Sequence, residues 1–256
     1  MKKIIFVVFI SILLSGCSYL TPVVNETEPA PVINETEPIS EEVKIDSQTK
    51  TIDQSNDSFL ASASYPEFSM ANKEIEANLN AGIKNKVDVL MNNFLDIADT
   101  DEPIMETLDL GSQTDIGYEI YSQTEEVISI GFSYYSYISG AAHGFNGYES
   151  FSYDLVNDQQ IELVDIFVSD SNYLEALSYM ATEYFDNKFE PDTWFTEGVE
   201  PDSVNFSKFV LTQDAIIFLF DNYAVVPYVL GLQEWEVKYE DIFALLNEDG
   251  PVKYFK

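Results

Sequence analysis

Residues 127–155 read VISIGFSYYSYISGAAHGFNGYESFSYDL, and this stretch decides the fold class. β-Branched and aromatic residues fill Val127 to Ile138, which predicts a strand, and alternation between Tyr148 and Leu155 predicts another. The residues from Ser139 to Gly144 are small apart from one histidine, which predicts a short connecting loop. The stretch therefore indicates two strands joined by a loop, within a sheet.

Two amphipathic helices are predicted, one before and one after these strands. Apolar residues spaced three and four apart predict a long helix from Met70 to Ala98 and a second helix from Tyr173 to Phe189. The other strand signals lie at residues 59–65, 118–122, 161–164, 206–211, 215–220 and 235–239, with a closing helical turn at 241–246. Strand runs broken by single helices predict an α+β fold, with a long N-terminal helix and a second helix packed on a mainly antiparallel sheet.

The N-terminal residues predict export and lipidation. An apolar run from Ile4 to Leu14 follows two lysines; it suits a secretory signal and is shorter than the roughly 20 residues of a membrane-spanning helix. Residues 14–17 read LSGC and resemble a lipobox, in which Cys17, the single cysteine, would carry the lipid (palmitate). We expect a lipid-anchored protein of the cell envelope that faces away from the cytoplasm. Ser18 favours the outer membrane if the organism has two membranes.

A spacer then separates the anchor from the folded part. Residues 22–29 and 31–38 form a near-exact repeat, PVVNETEP and PVINETEP, which predicts an extended, disordered tether. Aromatic residues become frequent from Ser58, and the remaining chain is long enough for one sizeable core or two small ones. The predicted divisions are a signal peptide at 1–16, a tether at 17–57 and a domain at 58–256, with a helix-containing part at 58–110 and a sheet-rich part at 111–256.

The chain is strongly acidic. It has 45 Asp and Glu against 12 Lys and Arg, a net charge of −33, with no arginine and no lysine from Val87 to Asn187. Such a chain cannot neutralise phosphates, which excludes nucleic-acid binding. It is also repelled by anionic lipids, so a lipid anchor would have to provide the membrane attachment. Two interpretations of the acidity stay open: attraction of a basic partner, or solubility of an exported protein.

His143 is the only histidine. It could contact a ligand or transfer protons on a mobile loop, or it could hold a turn by local hydrogen bonds. One histidine and a lipidated cysteine do not make a zinc site, no calcium-loop motif occurs, and no Gly-x-Ser-x-Gly or phosphate-binding glycine loop is present. The sequence therefore predicts no metal and no cofactor, leaves catalysis uncertain, and favours a protein that is not an enzyme.

Aromatic residues around this loop are the candidate binding residues. Because strand side chains alternate, the tyrosines of residues 134–137 must point to both faces of the sheet. Tyrosine rings beside a loop suit recognition of a protein or a sugar; alternatively, they belong to the core if both faces are covered. The candidate site residues are Tyr135, Tyr137, His143, Gly144, Phe145 and Tyr148.

Several segments resemble a known family. YSYISGAAHG at 135–144, FSYDL at 151–155, IELVDIF at 161–167 and LTQDAIIFLF at 211–220 resemble the exported domain of the RsiV-like anti-sigma factors, a pattern that also occurs beside PdaC-type peptidoglycan deacetylases. Ala141 stands where a second glycine is usual. The resemblance implies an α+β receptor-like domain, and the RsiV-type domain recognises lysozyme, a small basic enzyme that cuts cell-wall glycan.

Three functional hypotheses follow. The first is a receptor or decoy for a basic protein such as a lysozyme-like muramidase, which would use the loop at His143 and nearby tyrosines and acids. The second is an envelope enzyme or peptidoglycan-handling protein in which His143 acts with a carboxylate. The third is a structural envelope lipoprotein.

Overall fold

A computed structural model of the chain describes residues 44–98 and 111–255. These residues form nine strands, three α-helices and four short 3₁₀ turns. The strands are β1 Asp46–Asp53, β2 Phe59–Ser69, β3 Ser112–Gln123, β4 Val127–Tyr137, β5 Phe145–Asp154, β6 Gln159–Gln160, β7 Phe209–Leu211, β8 Ala215–Phe220 and β9 Gln233–Lys238. The helices are α1 Lys73–Ala98, α2 Leu163–Ile166 and α3 Tyr173–Lys188.

The strands form two sheets. β1 to β6 lie side by side in chain order, and every neighbouring pair is antiparallel except β2 and β3. β2 and β3 are parallel because α1 lies between them in the sequence and serves as the crossover that parallel strands need. β7, β8 and β9 form a second, antiparallel sheet. This architecture confirms the predicted α+β class with mainly antiparallel strands.

α1 packs on one face of the six-stranded sheet through its predicted apolar stripe. The buried residues of the helix are Leu79, Ile83, Val87, Met91 and Phe94. Helix and sheet approach closely at Gly82, where a Cβ would lie 2.5 Å from the ring of Phe151. Asn72 caps the helix start, because its Oδ1 accepts the backbone N–H groups of Glu74 and Ile75. The long N-terminal helix is therefore packed as expected.

A second core lies between α3 and the three-stranded sheet. Its buried aromatic residues include Phe167, Phe185, Phe206, Phe218, Phe220 and Trp235. The two long helices consequently cover two different sheets, and the described residues have two clusters of buried side chains.

β7 joins the two sheets. It lies against the face of the large sheet opposite α1, where the Oγ of Ser129 accepts the N–H of Leu211 at 2.8 Å. The Oγ of Ser150 accepts the N–H of Phe209 at 3.1 Å. Gly131 makes room for the ring of Tyr121 beside this contact, since a Cβ there would lie 2.8 Å from that ring. The serines thus pair backbone groups of β7 that would otherwise be buried without partners.

The predicted end of the tether is wrong. Residues 46–53, assigned to the tether, form β1 and pair along their whole length with β2. β1 is an edge strand whose side chains are mostly exposed, so it lacks the apolar alternation that marks a strand in sequence. Backbone pairing with β2 places it, together with side-chain contacts such as Lys50 with Glu67, and the folded part begins by Asp46.

Other boundaries also differ. β2 runs through Pro66 to Ser69, because the pairing with β3 ends at Ala63 and the missing N–H of Pro66 costs no ladder bond. Residues 161–164 are not a strand: β6 has two residues, and the apolar residues that follow belong to the turn of α2, where Leu163 and Ile166 are buried. α1 begins at Lys73 rather than Met70.

The predicted signal peptide, Cys17 and the repeats lie outside the described residues. Within residues 44–98 and 111–255, no helix is long and apolar enough to cross a membrane.

Candidate functional site

The loop between β4 and β5 is held by two glycines for different reasons. Gly140 adopts a left-handed backbone conformation (φ 90°) that favours glycine. Gly144 is needed for space, because a Cβ there would lie 2.3 Å from the ring of Tyr135. The same arrangement recurs on the other face of the sheet, where the ring of Tyr134 lies against Gly147. Each tyrosine ring therefore packs against a glycine, Gly144 in the loop for Tyr135 and Gly147 in β5 for Tyr134.

His143 is exposed, and both ring nitrogens have partners. Nδ1 lies 2.8 Å from the carbonyl oxygen of Gly144, and Nε2 lies 3.2 Å from the hydroxyl of Tyr223. Its ring also lies against Tyr228, with centroids 4.2 Å apart. Neither nitrogen contacts a carboxylate of the described residues. The pairing of His143 with a carboxylate, which the enzymatic hypothesis requires, is therefore not formed here.

Tyr223 and Tyr228 come from the C-terminal half of the chain. Tyr223 has a left-handed backbone (φ 68°), which is uncommon for an aromatic residue. The segment is fixed near its start, where Asp221 accepts the N–H of Tyr148 at 2.7 Å and pairs with Lys208. Neither tyrosine is predicted as a site residue from the sequence, because both are distant in sequence from His143 and lack a periodic signal. Their grouping is a product of the tertiary structure.

A cleft of about 750 Å³ opens beside His143. Its ring-bearing lining residues are Phe59, Tyr135, Tyr137, His143 and Tyr228. Its neutral polar lining residues are Asn56, Ser58, Ser112 and Gln113. Among the described residues of the lining, Asp57 is the single acidic side chain and no lysine contributes. The start of β2, the start of β3 and the β4–β5 loop thus build one concave, nearly neutral surface.

Four of the six candidate residues line this cleft: Tyr135, Tyr137, His143 and Gly144. Phe145 does not; it lies near Tyr134, with ring centroids 6.1 Å apart. Tyr148 does not either, since its hydroxyl donates to Glu234 Oε1 at 2.8 Å. Strand alternation explains the position of Phe145, which pairs with Ser136 on the α1 side of the sheet.

Part of the sheet face opposite α1 is uncovered and adjoins the cleft, with which it shares Tyr135 and Tyr137; we call it the open face. It comprises Asp115, Gly117 and Glu119 of β3, Ser133, Tyr135 and Tyr137 of β4, and Asn146 and Tyr148 of β5. Glu234 of β9 and the ring of Tyr121 border it.

The charged side chains of the open face and its border are all acidic. β3, β4 and β5 contain no lysine or arginine, and none of the ion pairs among the described residues involves Asp115, Glu119 or Glu234. Burial and then the charges of Glu234 and Glu119 raise the pKa of Tyr121 to about 12. Burial and the hydrogen bond to Glu234 raise the pKa of Tyr148. These tyrosines are therefore neutral hydroxyl groups among uncompensated carboxylates.

No group of three or more His, Cys, Asp or Glu side chains within the described part of the chain could hold a metal ion.

The two family profiles that match this chain fall on different sheets of the fold. Residues 52–146 match the profile of the family described as deacetylase PdaC, and residues 164–240 match DUF3298, a family of unknown function. The Bacillus subtilis (strain 168) protein named peptidoglycan-N-acetylmuramic acid deacetylase PdaC is 33% identical over 140 residues. That match covers 54% of this chain and 30% of the relative, so the chain spans less than a third of that protein's length.

Two solved structures share the fold. A DUF3298 family member from Bacteroides fragilis has a TM-score of 0.61 at 18% identity, covering 84% of this chain and 97% of that one. A DUF3298 family protein from Pseudomonas aeruginosa has a TM-score of 0.53 at 16% identity, covering 80% and 94%. Residues 52–146 are thus similar to the PdaC profile, and the chain shares the fold of the DUF3298 structures.

Proposed function

We propose that this chain is a binding protein of the cell envelope, lipid-anchored through Cys17 and facing outside the cytoplasm, whose partner is a basic protein such as a lysozyme-like muramidase. The observation that carries the proposal is the open face. It presents tyrosine rings and carboxylates that form no ion pair with any described residue, and its three strands contain no lysine or arginine. The chain would act as a receptor or decoy.

The chemistry of the open face suits a cationic protein surface. Tyrosines such as Tyr135 and Tyr137 supply contact area at little cost in side-chain entropy. Asp115, Glu119 and Glu234 are exposed, so they would attract a basic partner over a distance and raise the association rate more than the final affinity. A net charge of −33 acts in the same direction.

An enzymatic role has less support. His143 has a tyrosine hydroxyl and a backbone carbonyl as its partners. General acid–base catalysis on a sugar polymer needs a proton donor and acceptor pair set at the reacting bond. The relative's name refers to peptidoglycan, but the match covers 30% of that protein. Binding, rather than turnover, is therefore the function that the geometry supports best.

Calorimetry of the unit Glu42–Lys256 would test the proposal. All helices and strands described above lie within this unit, and it retains β1. Hen lysozyme and cytochrome c, two basic proteins, are titrated at low salt and at about 0.15 M salt, where the Debye length is about 8 Å. We expect binding that is selective for lysozyme and persists at the higher salt. Equal binding to both proteins that disappears with salt would refute the proposal.

A charge-matched pair of variants locates the surface. Glu119→Gln with Glu234→Gln removes two charges at the open face, and we expect a several-fold slower association with lysozyme. Glu175→Gln with Glu248→Gln removes two charges at exposed positions elsewhere and is the control. If both double variants slow association equally, net charge rather than the open face attracts the partner.

The anchor is tested separately. Metabolic labelling with a palmitate analogue should mark the full chain in its native host and leave Cys17→Ser unlabelled. Labelling of both proteins would show that the lipid is not on Cys17, and labelling of neither would remove the lipid anchor from the proposal.

A further inference from the structure

A groove of about 590 Å³ lies between α3 and β9, on the three-stranded sheet. Its lining residues are Met180, Glu183, Tyr184, Asn187 and Lys188 of α3, Trp235, Glu236 and Val237 of β9, and Asp241. The helix residues are spaced three and four apart, so they form one stripe along the helix. A helix face and a strand edge are thus the two walls of the groove.

The wall formed by β9 is a sheet edge. Among the described strands the order is β7-β8-β9, so no strand pairs with the outer side of β9. β9 pairs with β8 in antiparallel register, and the N–H of Tyr239 continues that ladder by donating to the carbonyl of Asp214 at 2.9 Å. Because alternate residues of an antiparallel strand bond to the same neighbour, Glu234, Glu236 and Lys238 direct their backbone groups away from β8.

Two of these outward backbone groups are already used. The carbonyl of Glu234 accepts the hydroxyl of Tyr184 at 3.4 Å, and the carbonyl of Lys238 accepts the N–H of Asp241 at 3.0 Å. Within the described part of the chain, no partner contacts the outward N–H and C=O of Glu236. An extended peptide could pair with both groups, as peptides do when they add a strand to a free sheet edge.

The charges of the groove favour a basic ligand. Glu183, Glu236 and Asp241 are exposed, and they form no ion pair with any described residue. Among the described residues of the lining, Lys188 is the single cation, and its Nζ already donates to Oε1 of Gln233 at 2.9 Å. Three carboxylates therefore remain for the lysines or arginines of a ligand.

The same charges disfavour the chain's own segments as the occupant. Charged side chains on an edge strand commonly prevent pairing between copies of a protein, and a second copy would bring a further net charge of −33. The repeats at residues 22–38 contain four glutamates and no lysine or arginine, so they lack the complementary charge. A basic peptide from another protein has neither disadvantage.

We propose that the groove between α3 and β9 binds an extended basic peptide segment, which adds a strand to the sheet at Glu236. Apolar side chains on one side of the peptide would pack on Met180 and Tyr184, and basic side chains would lie near Glu183 and Asp241. The groove belongs to the three-stranded sheet. The proposal therefore does not depend on binding of a basic protein to the open face of the six-stranded sheet.

The test is an NMR titration of the unit Glu42–Lys256 with an acetylated heptapeptide of alternating lysine and valine that begins and ends on lysine. Two control peptides carry backbone N-methyl groups on all valines or on all lysines. They keep the charge, and one of them loses the N–H groups that face the sheet, whichever side of the peptide meets α3.

We expect saturable shifts at the amides of Glu236 and Lys238 with the parent peptide. One N-methylated peptide should bind about tenfold more weakly, because it cannot donate to the edge. An absence of shifts at millimolar peptide, or equal binding of all three peptides, would overturn strand addition at β9.

Two substitutions at Glu236 separate backbone pairing from charge. Both Glu236→Pro and Glu236→Gln remove the carboxylate, but only the proline removes the outward N–H, which contributes nothing to the pairing with β8. We expect Glu236→Pro to bind the parent peptide about tenfold more weakly than Glu236→Gln, with the amide spectrum of β4 unchanged. Equal binding by the two variants would contradict the proposal. The N-methylated peptides test the same bond without altering the protein.

A pair of charge reversals on α3 locates the basic side chains. Glu183→Lys should weaken binding of the parent peptide several-fold. Glu175→Lys makes the same change at an exposed position about 12 Å away along the helix, outside the lining, and should bind like the parent chain. The amide of Tyr179, whose side chain is 71% exposed on the same helix and also outside the lining, should not shift.

Equal weakening in both reversals would show that net charge, and not the groove, attracts the peptide, and would overturn the assignment. The two reversals should associate with lysozyme alike, because both lie away from the open face. Loss of peptide binding and loss of lysozyme binding therefore report separately on the two proposals.

Discussion

The two faces of the six-stranded sheet differ although the same strands supply both. On one face α1 covers apolar residues such as Ile130 and Phe132, which are fully buried. On the opposite face, serines and glycines at the N-terminal end of β4 lie under β7, while tyrosines at the C-terminal end remain open. One face is therefore a core. The other is part interface between two sheets and part accessible surface.

This difference explains why β4 is a continuous run of apolar, small and aromatic residues rather than a clean alternation. Covered on both sides in its first half, β4 has the buried pattern of a central strand from Val127 to Phe132. After Ser133, which is exposed, no residue up to Tyr137 is fully buried. The change from covered to open along one strand places the candidate site at that end.

The largest expected effect is a difference in stability between substitutions at two adjacent residues of β4, one on each face of the sheet. Phe132→Ala should lower the free energy of unfolding by about 3–5 kcal/mol, because it leaves a cavity under α1. Ser133→Ala, one residue later on the open face, should change it by less than about 0.5 kcal/mol. Urea unfolding of the two variants measures both values. Similar losses would show that the open face is covered in solution.

A smaller effect tests the interface with β7. Ser129→Ala removes the Oγ that accepts the N–H of Leu211 and bonds to Ser152 at 2.8 Å. A buried N–H without a partner costs about 1–3 kcal/mol, which should appear as a lower urea midpoint with an unchanged slope. Ser133→Ala serves again as the control. A loss below about 0.5 kcal/mol would mean that β7 does not rely on this serine.

Alkaline pH should weaken the fold through tyrosines on both faces. Burial, followed by the charges of Asp221 and Glu149, raises the pKa of Tyr134 to about 12, and that of Tyr121 also rises to about 12. Between pH 10 and 12 the unfolded chain loses these protons before the folded chain does, so stability falls as pH rises. Urea unfolding from pH 8 to 11.5 should show a shallower decline in Tyr134→Phe than in Tyr179→Phe. Identical declines would contradict the raised pKa of Tyr134.

The smallest effect concerns the contact that holds the loop. Tyr223→Phe removes the 3.2 Å hydrogen bond to exposed His143 while keeping the ring, and it should cost about 0.5 kcal/mol or less. Urea unfolding gives the value, and NMR exchange broadening of residues 140–144 should increase. A loss above about 1.5 kcal/mol would show that the contact supports the whole fold rather than this loop.

Much of the fold could be predicted because side-chain periodicity encodes it locally. The apolar stripe of α1 and the residues of β4 and β5 were recognisable from spacing alone. β1 was missed because it has no apolar side of its own. The sequence predicts a strand at residues 161–164, of which Leu163 and Val164 begin α2, because a run of four residues is too short to separate the two periods.

The candidate site was predicted in part for the same reason. Tyr135, Tyr137, His143 and Gly144 are close in sequence, so the local pattern identified them together. Tyr223 and Tyr228 lie about 80 residues farther along, and only folding brings them to His143. Phe145 was included by proximity in sequence, although strand alternation directs it to the α1 side.

By itself the sequence determined the acidity, the export-type N-terminal pattern, the α+β class and the aromatic loop, because composition and short-range periodicity need no partner to be read. Only the tertiary structure decided that the described residues form two sheets with separate cores. It also decided which tyrosines share a face, and that residues from both halves enclose His143. Those features depend on contacts between segments that are distant in sequence. Packing and backbone hydrogen bonding determine which of these segments pair, and no local sequence pattern does.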